Sequence, residues 1–172
     1  MQHVIKNDII QEQIDILRGI KGASSLKLYI DEVGEFALNF AIESSDRTIN
    51  IKNTPTNASD GDEYPKLIIE HATTLSPDYK LMYEGNNLED IFILSDVATW
   101  RNNNINWIVE ANIGIKIVFQ QVNFLILAQD SLAGLLKVFE LNKTTPMEEL
   151  LDDYWSMKTD KIDSLIRQEI KI

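Results

Sequence analysis

Between Leu26 and Ile42 the chain keeps a two-residue rhythm that few folds can accommodate. In "SLKLYID", Leu26, Leu28 and Ile30 alternate with Lys27, Tyr29 and Asp31. In "EFALNFAIE", Phe36, Leu38, Phe40 and Ile42 alternate with Ala37, Asn39, Ala41 and Glu43. Successive side chains of a strand point to opposite faces, so this period marks two half-buried strands, with "EVG" as a tight turn between them. Strands joined by so short a turn must run antiparallel. "SSDR" reads as a further turn and "TINIK" as a third strand.

The remaining segments are read by the same tests. Asn7–Arg18 has the pattern of a helix: Asn7 can cap it, Asp8 suits its positive end, Ile10, Ile14 and Leu17 line one face, and Gly19 stops it. "KLIIEHA" (Lys66–Ala72) reads as a strand, and "TTLSPDYK" as a loop broken by Pro77. Asn87–Arg101 suits either a helix, with Leu88, Ile91, Leu94 and Ala98 on one face, or a strand through Ile91–Leu94; the helix is preferred. Strand alternation returns from Ile105 to Ala128, with a turn expected at Asn112–Gly114 and another near Gln121. Asp130–Asn142 carries Leu132, Leu135, Leu136 and Phe139 at helical spacing. "TTPMEELL" combines Thr145 as a cap, Pro146 at the first helical position and Glu148 three residues past the cap, which predicts a helix reaching toward Ile170, with "KTD" (Lys158–Asp160) as a possible break. Strands in groups and helices set apart predict an α+β fold: a single domain over 1–172 with a curved antiparallel sheet. An N-terminal helix, a crossover helix and two C-terminal helices would pack on one side of it. Within it lie an acidic loop at 53–65 and a C-terminal helix or helix pair at 145–170.

Composition narrows the function. The chain has 172 residues, 16 basic and 27 acidic side chains, a net charge of −11 and no cysteine. Disulfides, thiolate metal sites and cysteine nucleophiles are therefore excluded. Bases are few and scattered, which argues against nucleic-acid binding, and an acidic surface repels anionic lipid. The stretch Ile113–Ala128 is interrupted by Lys116, Gln120, Gln121 and Asn123, so no membrane span is expected. The start lacks a basic region followed by an apolar one, which suits a cytoplasmic protein.

Tests for chemistry return little. The loop "TNASDGDEYP" has acids and a glycine, but a calcium loop built around Gly61 would place Ala58 and Leu67 where oxygen ligands are required. Only His3 and His71 offer imidazole, too few for zinc without thiols. His71 is the one candidate base, and its neighbour Glu70 points to the opposite strand face. No P-loop, GxSxG or GxGxxG is present. No catalytic residue, metal or cofactor is assigned.

The features that remain suit protein binding. Trp100 and Arg101 are residue types enriched at binding hot spots. Asp60, Asp62 and Glu63 in one loop, and Glu148, Glu149, Asp152 and Asp153 in another segment, offer negative charge to a basic partner. The expectation is a non-enzymatic domain that captures a protein, as an immunity protein neutralising a basic toxin or as a chaperone of a secreted partner. The alternatives are a small-ligand binder or enzyme with a pocket at His71, and a structural or oligomerising subunit.

"ILRGI" ahead of "SLKLYIDEVGEFALNF", and later "LSDVATWRNNNINWIVEANIGIKIVFQQVNFLILAQDSLAGLLKVF", give an order that resembles bacterial type III secretion chaperones over residues 7–142. That resemblance implies an opening helix, three antiparallel strands, a crossover helix, further strands and a closing helix, in a small acidic protein that holds an unfolded partner and is typically a homodimer. The insertion at Asn53–Asn86 and the segment after Thr145 depart from the pattern, and no functional residue is transferred.

Overall fold

The computed structural model describes residues 1–129, 134–142, 144 and 146–172. Among these the chain is mostly antiparallel sheet, with only two short helices, which overturns the expected α+β architecture. In order, β1 (Gln2–Asn7) precedes α1 (Gln11–Arg18), then come β2 (Leu26–Val33), β3 (Phe36–Glu43) and β4 (Thr48–Asn53). Two-residue strands β5 (Thr56–Asn57) and β6 (Glu63–Tyr64) form a small hairpin ahead of β7 (Leu67–Ala72) and β8 (Lys80–Gly85). The long strands β9 (Leu88–Asn102) and β10 (Ile105–Phe119) follow, then β11 (Asn123–Ala128), β12 (Leu136–Leu141), α2 (Met147–Leu151) and β13 (Ser164–Lys171).

One sheet runs β13-β9-β10-β11-β12-β3-β2-β8, with β1 added in parallel beside β10, and β4 and then β7 added beside β3. The sheet doubles back on itself. Leu28, Phe40, Ile42, Ile51 and Ile69 of one wing pack against Ile91, Ile117, Phe124 and Ile126 of the other, and Leu17 and Ile20 at the end of α1 seal this first core. α1 also protects the free edge of β7, where the Ile69 N–H donates to Gln13 Oε1 (3.2 Å).

A second core lies on the opposite face of β9, β10 and β11. There Leu94, Trp100, Trp107, Val109, Leu125 and Leu127 are covered by Tyr64 and by Leu151, Tyr154 and Trp155. Strand β11 is thus buried on both faces, Phe124 and Ile126 toward the first core and Leu125 and Leu127 toward the second. That accounts for the unbroken run "FLILA", since a strand covered on both sides has no face to leave polar.

Several expectations are corrected here. Asn87–Arg101 is strand β9, not a helix, and Asn87 takes a left-handed turn (φ 65°) rather than a cap. The helical stripe there was an accident of two-sided burial: Ile91 faces the first core, while Leu94 and Ala98 face the second. The same holds for the expected helix Asp130–Asn142. Its residues 130–133, including Leu132, lie outside the described residues, but Leu136–Leu141 is a strand with Leu136 in the first core and Phe139 against the second. Asn112–Gly114 is not a turn but a β-bulge inside β10, and the chain reverses at Gln120–Gln121.

The helix after Thr145, itself outside the described residues, is only Met147–Leu151, with Pro146 flanking it in extended conformation. Ser164–Lys171 has good helix formers yet pairs along β9, because tertiary pairing outweighs intrinsic preference of a few tenths of a kcal/mol per residue. At the other end Asn7 closes β1 rather than capping α1, whose N-cap is Ile10. The three strands from Leu26 to Asn53, and the strand at Leu67–Ala72, lie where the alternation puts them.

Since Leu125 has neighbours on a face that α2 and the following turns must cover, Leu125→Ala should lower stability by about 2–5 kcal/mol in urea unfolding. A loss below ~1 kcal/mol would mean that the second core is loosely packed.

Candidate functional site

The acidic loop is an ordered hairpin. Gly61 adopts φ 82°, a left-handed value open to glycine at little cost. Around it the Ala58 N–H donates to the Asp62 carbonyl (2.9 Å) and the Asp62 N–H to Asp60 Oδ1 (3.0 Å). Asn7, 4% exposed, ties the base of the hairpin to the sheet: its amide donates to Thr56 Oγ1 (2.7 Å) and to the Tyr64 and Pro65 carbonyls (3.3 and 3.0 Å).

This clamp presses Tyr64 into the second core, at one end of an aromatic array. Tyr64 and Trp100 each stack on Trp107 with ring centres 6.3 Å away, and His3 stacks on Trp107 at 4.6 Å. Trp155 meets Trp100 at 6.3 Å, and Tyr154 packs edge-on to Trp155. His3 Nδ1 also lies 2.9 Å from Ser59 Oγ, joining β1 to the hairpin.

Into this end projects Lys158, whose side chain is 3% exposed. Its ammonium sits 4.9 Å over the Tyr64 ring, pairs with Asp62 (2.9 Å) and donates to the Glu63 carbonyl. A ring face and a carboxylate are both attractive to a cation once water is excluded. Beside it opens a hollow of about 190 Å³ lined in part by Asp60, Asp62, Tyr64, Trp100, Trp107 and Lys158. A second hollow of about 310 Å³, bordered by Arg101, Met157, Asp160 and Lys161, shares Lys158 with the first. Burial, with Asp60 and Asp62 close by, pushes the Tyr64 hydroxyl well above the ordinary tyrosine range.

The backing of the site is a buried ion cluster. Asp96, fully buried on β9, accepts from Trp155 Nε1 (2.8 Å) and from Arg167 Nε and Nη2 (2.7 and 2.6 Å). Arg167 Nη1 also reaches the Leu151 carbonyl (3.3 Å). One carboxylate thereby fixes β13, the end of α2 and the tryptophan that covers the second core.

The structure brings Asp60, Asp62, Glu63 and Trp100 to this end of the second core, and Arg101 to the adjoining hollow. Trp100 is 2% exposed and is packing, not a surface anchor. Arg101 is exposed and donates to Asn106 Oδ1 (3.0 Å). Glu148, Glu149, Asp152 and Asp153 are exposed on and just after α2, which covers the same sheet face as the hairpin. His71 extends the inward row of β7 past the core into solvent, opposite Ile49. Sequence reasoning gave Lys158, Tyr64 and His3 no role at this site: Lys158 appeared only in the "KTD" break, Tyr64 only within the acidic loop and His3 only as one of two imidazoles. Among the described residues, no three His, Asp or Glu side chains gather to hold a metal ion, and no helix is long and apolar enough to cross a membrane. No family model matches the chain, and neither does any curated protein or solved structure.

Two outcomes follow from this geometry. Because the raised Tyr64 pKa favours the neutral, folded form, stability should be level below pH ~10 and fall above it, as the unfolded chain ionises first. Tyr64→Phe should flatten that alkaline decline in unfolding curves; an unaltered slope would place the effect on other tyrosines. Arg167→Leu should cost about 3 kcal/mol, by leaving the buried Asp96 charge without its partner. Asp96→Asn added to it should recover part of that loss, and a double variant less stable than Arg167→Leu alone would contradict this account.

Proposed function

We propose that this chain is a protein-binding domain that captures a basic segment of another protein at the acidic hairpin. The observation that carries the reading is Lys158: the chain's own ammonium occupies a cage of one tyrosine ring, one carboxylate and one carbonyl. The chemistry of this corner is cation recognition, and Asp60 stays exposed at its rim. Met157, 76% exposed next to the cage, adds an apolar contact, and methionine adapts readily to varied partners. Glu148, Glu149, Asp152 and Asp153 extend negative charge over the same side of the sheet and would speed encounter with a positive partner.

A basic toxin held by an immunity protein, or a secreted protein held by a chaperone, both present such a segment, and a cytoplasmic setting suits either role. The pocket reading centred on His71 draws no support from its solvent-facing position at the end of β7.

The test is capture from native cell extract by the immobilised chain and by a variant with Glu148, Glu149, Asp152 and Asp153 changed to lysine. The wild type should retain a basic protein that is released as salt rises from about 50 mM to about 500 mM, where charges separated by more than a few ångströms are screened. The variant should bind it at least about tenfold more weakly, mainly through slower association. Equal retention by both would remove the acidic side from the mechanism.

A further inference from the structure

The sheet has four lateral edges of unequal protection among the described residues. The β1 edge is six residues long and is flanked by the β5–β6 hairpin, through Asn7 to Thr56 and His3 to Ser59. The β7 edge is covered by α1 through Gln13. The β8 edge is a short strand with charges at Lys80 and Glu84. Strand β13 is different. It is eight residues long, exposed along nearly its whole length, and borders the sheet with only β9 beside it. Leu165, Ile166 and Ile170 are 40, 57 and 44% exposed. An open edge of this length is a template for another strand.

The charges of β13 do not guard it. Arg167 is held by Asp96, Glu169 by Lys116 and Lys171 by Asp90 (2.8 Å). The Ile172 N–H donates to the Ile91 carbonyl (3.1 Å), so the even-numbered residues bond to β9. The N–H and C=O groups of Leu165, Arg167, Glu169 and Lys171 therefore point to the open side.

We infer that β13 pairs antiparallel with β13 of a second copy of this chain, with the two-fold axis at Gln168, giving a sheet continuous through the dimer. The sequence "SLIRQEIK" is self-complementary in that register, which pairs seven of the eight residues of β13; an axis at Ile170 also matches Glu169 with Lys171 but pairs only three. With Gln168 on the axis, Ile166 faces Ile170 of the other copy on one sheet face, and Arg167 faces Glu169 on the other. An axis at Arg167 would oppose two arginines. An axis at Glu169 would oppose two glutamates and set Arg167 against Lys171. An axis at Ile166 would set Asp163 against Glu169. Like charges directly opposite are destabilising, and apolar and opposite-charge pairs each favour the match by some tenths of a kcal/mol. The outward backbone groups also fit, because the pairs 167–169 and 165–171 fall on hydrogen-bonding positions.

This pairing is independent of the capture of a basic partner and responds oppositely to salt. Two copies of net charge −11 repel, so salt strengthens self-association while it weakens binding of a basic partner.

The chain has no cysteine, so a single introduced thiol reports the register cleanly. Gln168 across the axis is a non-hydrogen-bonded pair with Cα atoms about 4.5 Å apart, within disulfide reach. Under mild oxidation Gln168→Cys should give a covalent dimer about tenfold faster than Ile166→Cys, and Ile166→Cys/Ile170→Cys should match Gln168→Cys. Sedimentation of the unmodified chain from ~5 to ~500 µM should show a monomer–dimer equilibrium, abolished by Ile166→Lys/Ile170→Lys and restored by Ile166→Lys/Ile170→Glu. Circular dichroism checks that each variant is folded. A monomer throughout that range, or equal cross-linking rates for Gln168→Cys and Ile166→Cys, would overturn the proposal.

Discussion

The Asp96 carboxylate lies fully buried inside the protein, and the C-terminal third of the chain is arranged around it. A carboxylate removed from water costs several kcal/mol unless donors replace the lost hydration. Here an indole N–H and two guanidinium nitrogens do so, and both donor residues lie far from Asp96 in sequence. Satisfying this one group therefore draws Trp155 over the second core and lays β13 along β9. With Trp155 in place, Lys158 three residues later is delivered to Tyr64 and Asp62. The site at the hairpin depends in this way on an ion cluster that never reaches its surface.

The second organising constraint is a sheet used on both sides. β9, β10 and β11 serve one core with half their side chains and a second core with the other half. Neither cover is a helical layer. The first is the other wing of the same sheet, sealed by α1, and the second is mostly the turns after α2 together with the β5–β6 hairpin. A chain so poor in helix has no spare amphipathic element to close its faces, and the hairpin becomes part of the core through Tyr64.

What could be read in the sequence follows from this. Where a strand faces solvent on one side, as in β2, its period of two is plain; β3 also falls where expected, although Leu38 is exposed and Ala37 and Ala41 are buried. Where a strand is covered on both sides, the apolar residues crowd together and helical spacings arise by chance, as at Ile91, Leu94 and Ala98. Asp152 and Asp153 read as solvated acids from their residue type and adjacency, and they are exposed. The cage around Lys158 was not, because its partners Asp62 and Tyr64 lie more than ninety residues away and meet it only through β9 and Asp96. Trp100 shows the limit of residue type as a guide: a tryptophan at a strand end reads equally as anchor or as packing until its neighbours are known.

The bulge at Asn112–Gly114 has a consequence for how this chain can change over time. Before it, Trp107, Val109 and Ala111 face the second core; after it, Ile115, Ile117 and Phe119 face the first. A Cβ at Gly114 would come within 3.1 Å of the Ile126 carbonyl, and Asn112 Oδ1 holds the Ile9 N–H at 2.6 Å, so the irregularity is fastened on both sides. Strand β10 is in effect two messages spliced with a one-residue frameshift. Substitutions on either side of the splice answer to different cores and can drift separately. A single insertion or deletion at the splice would set one half of the strand out of frame with its core, so here chain length is inherited as strictly as residue identity.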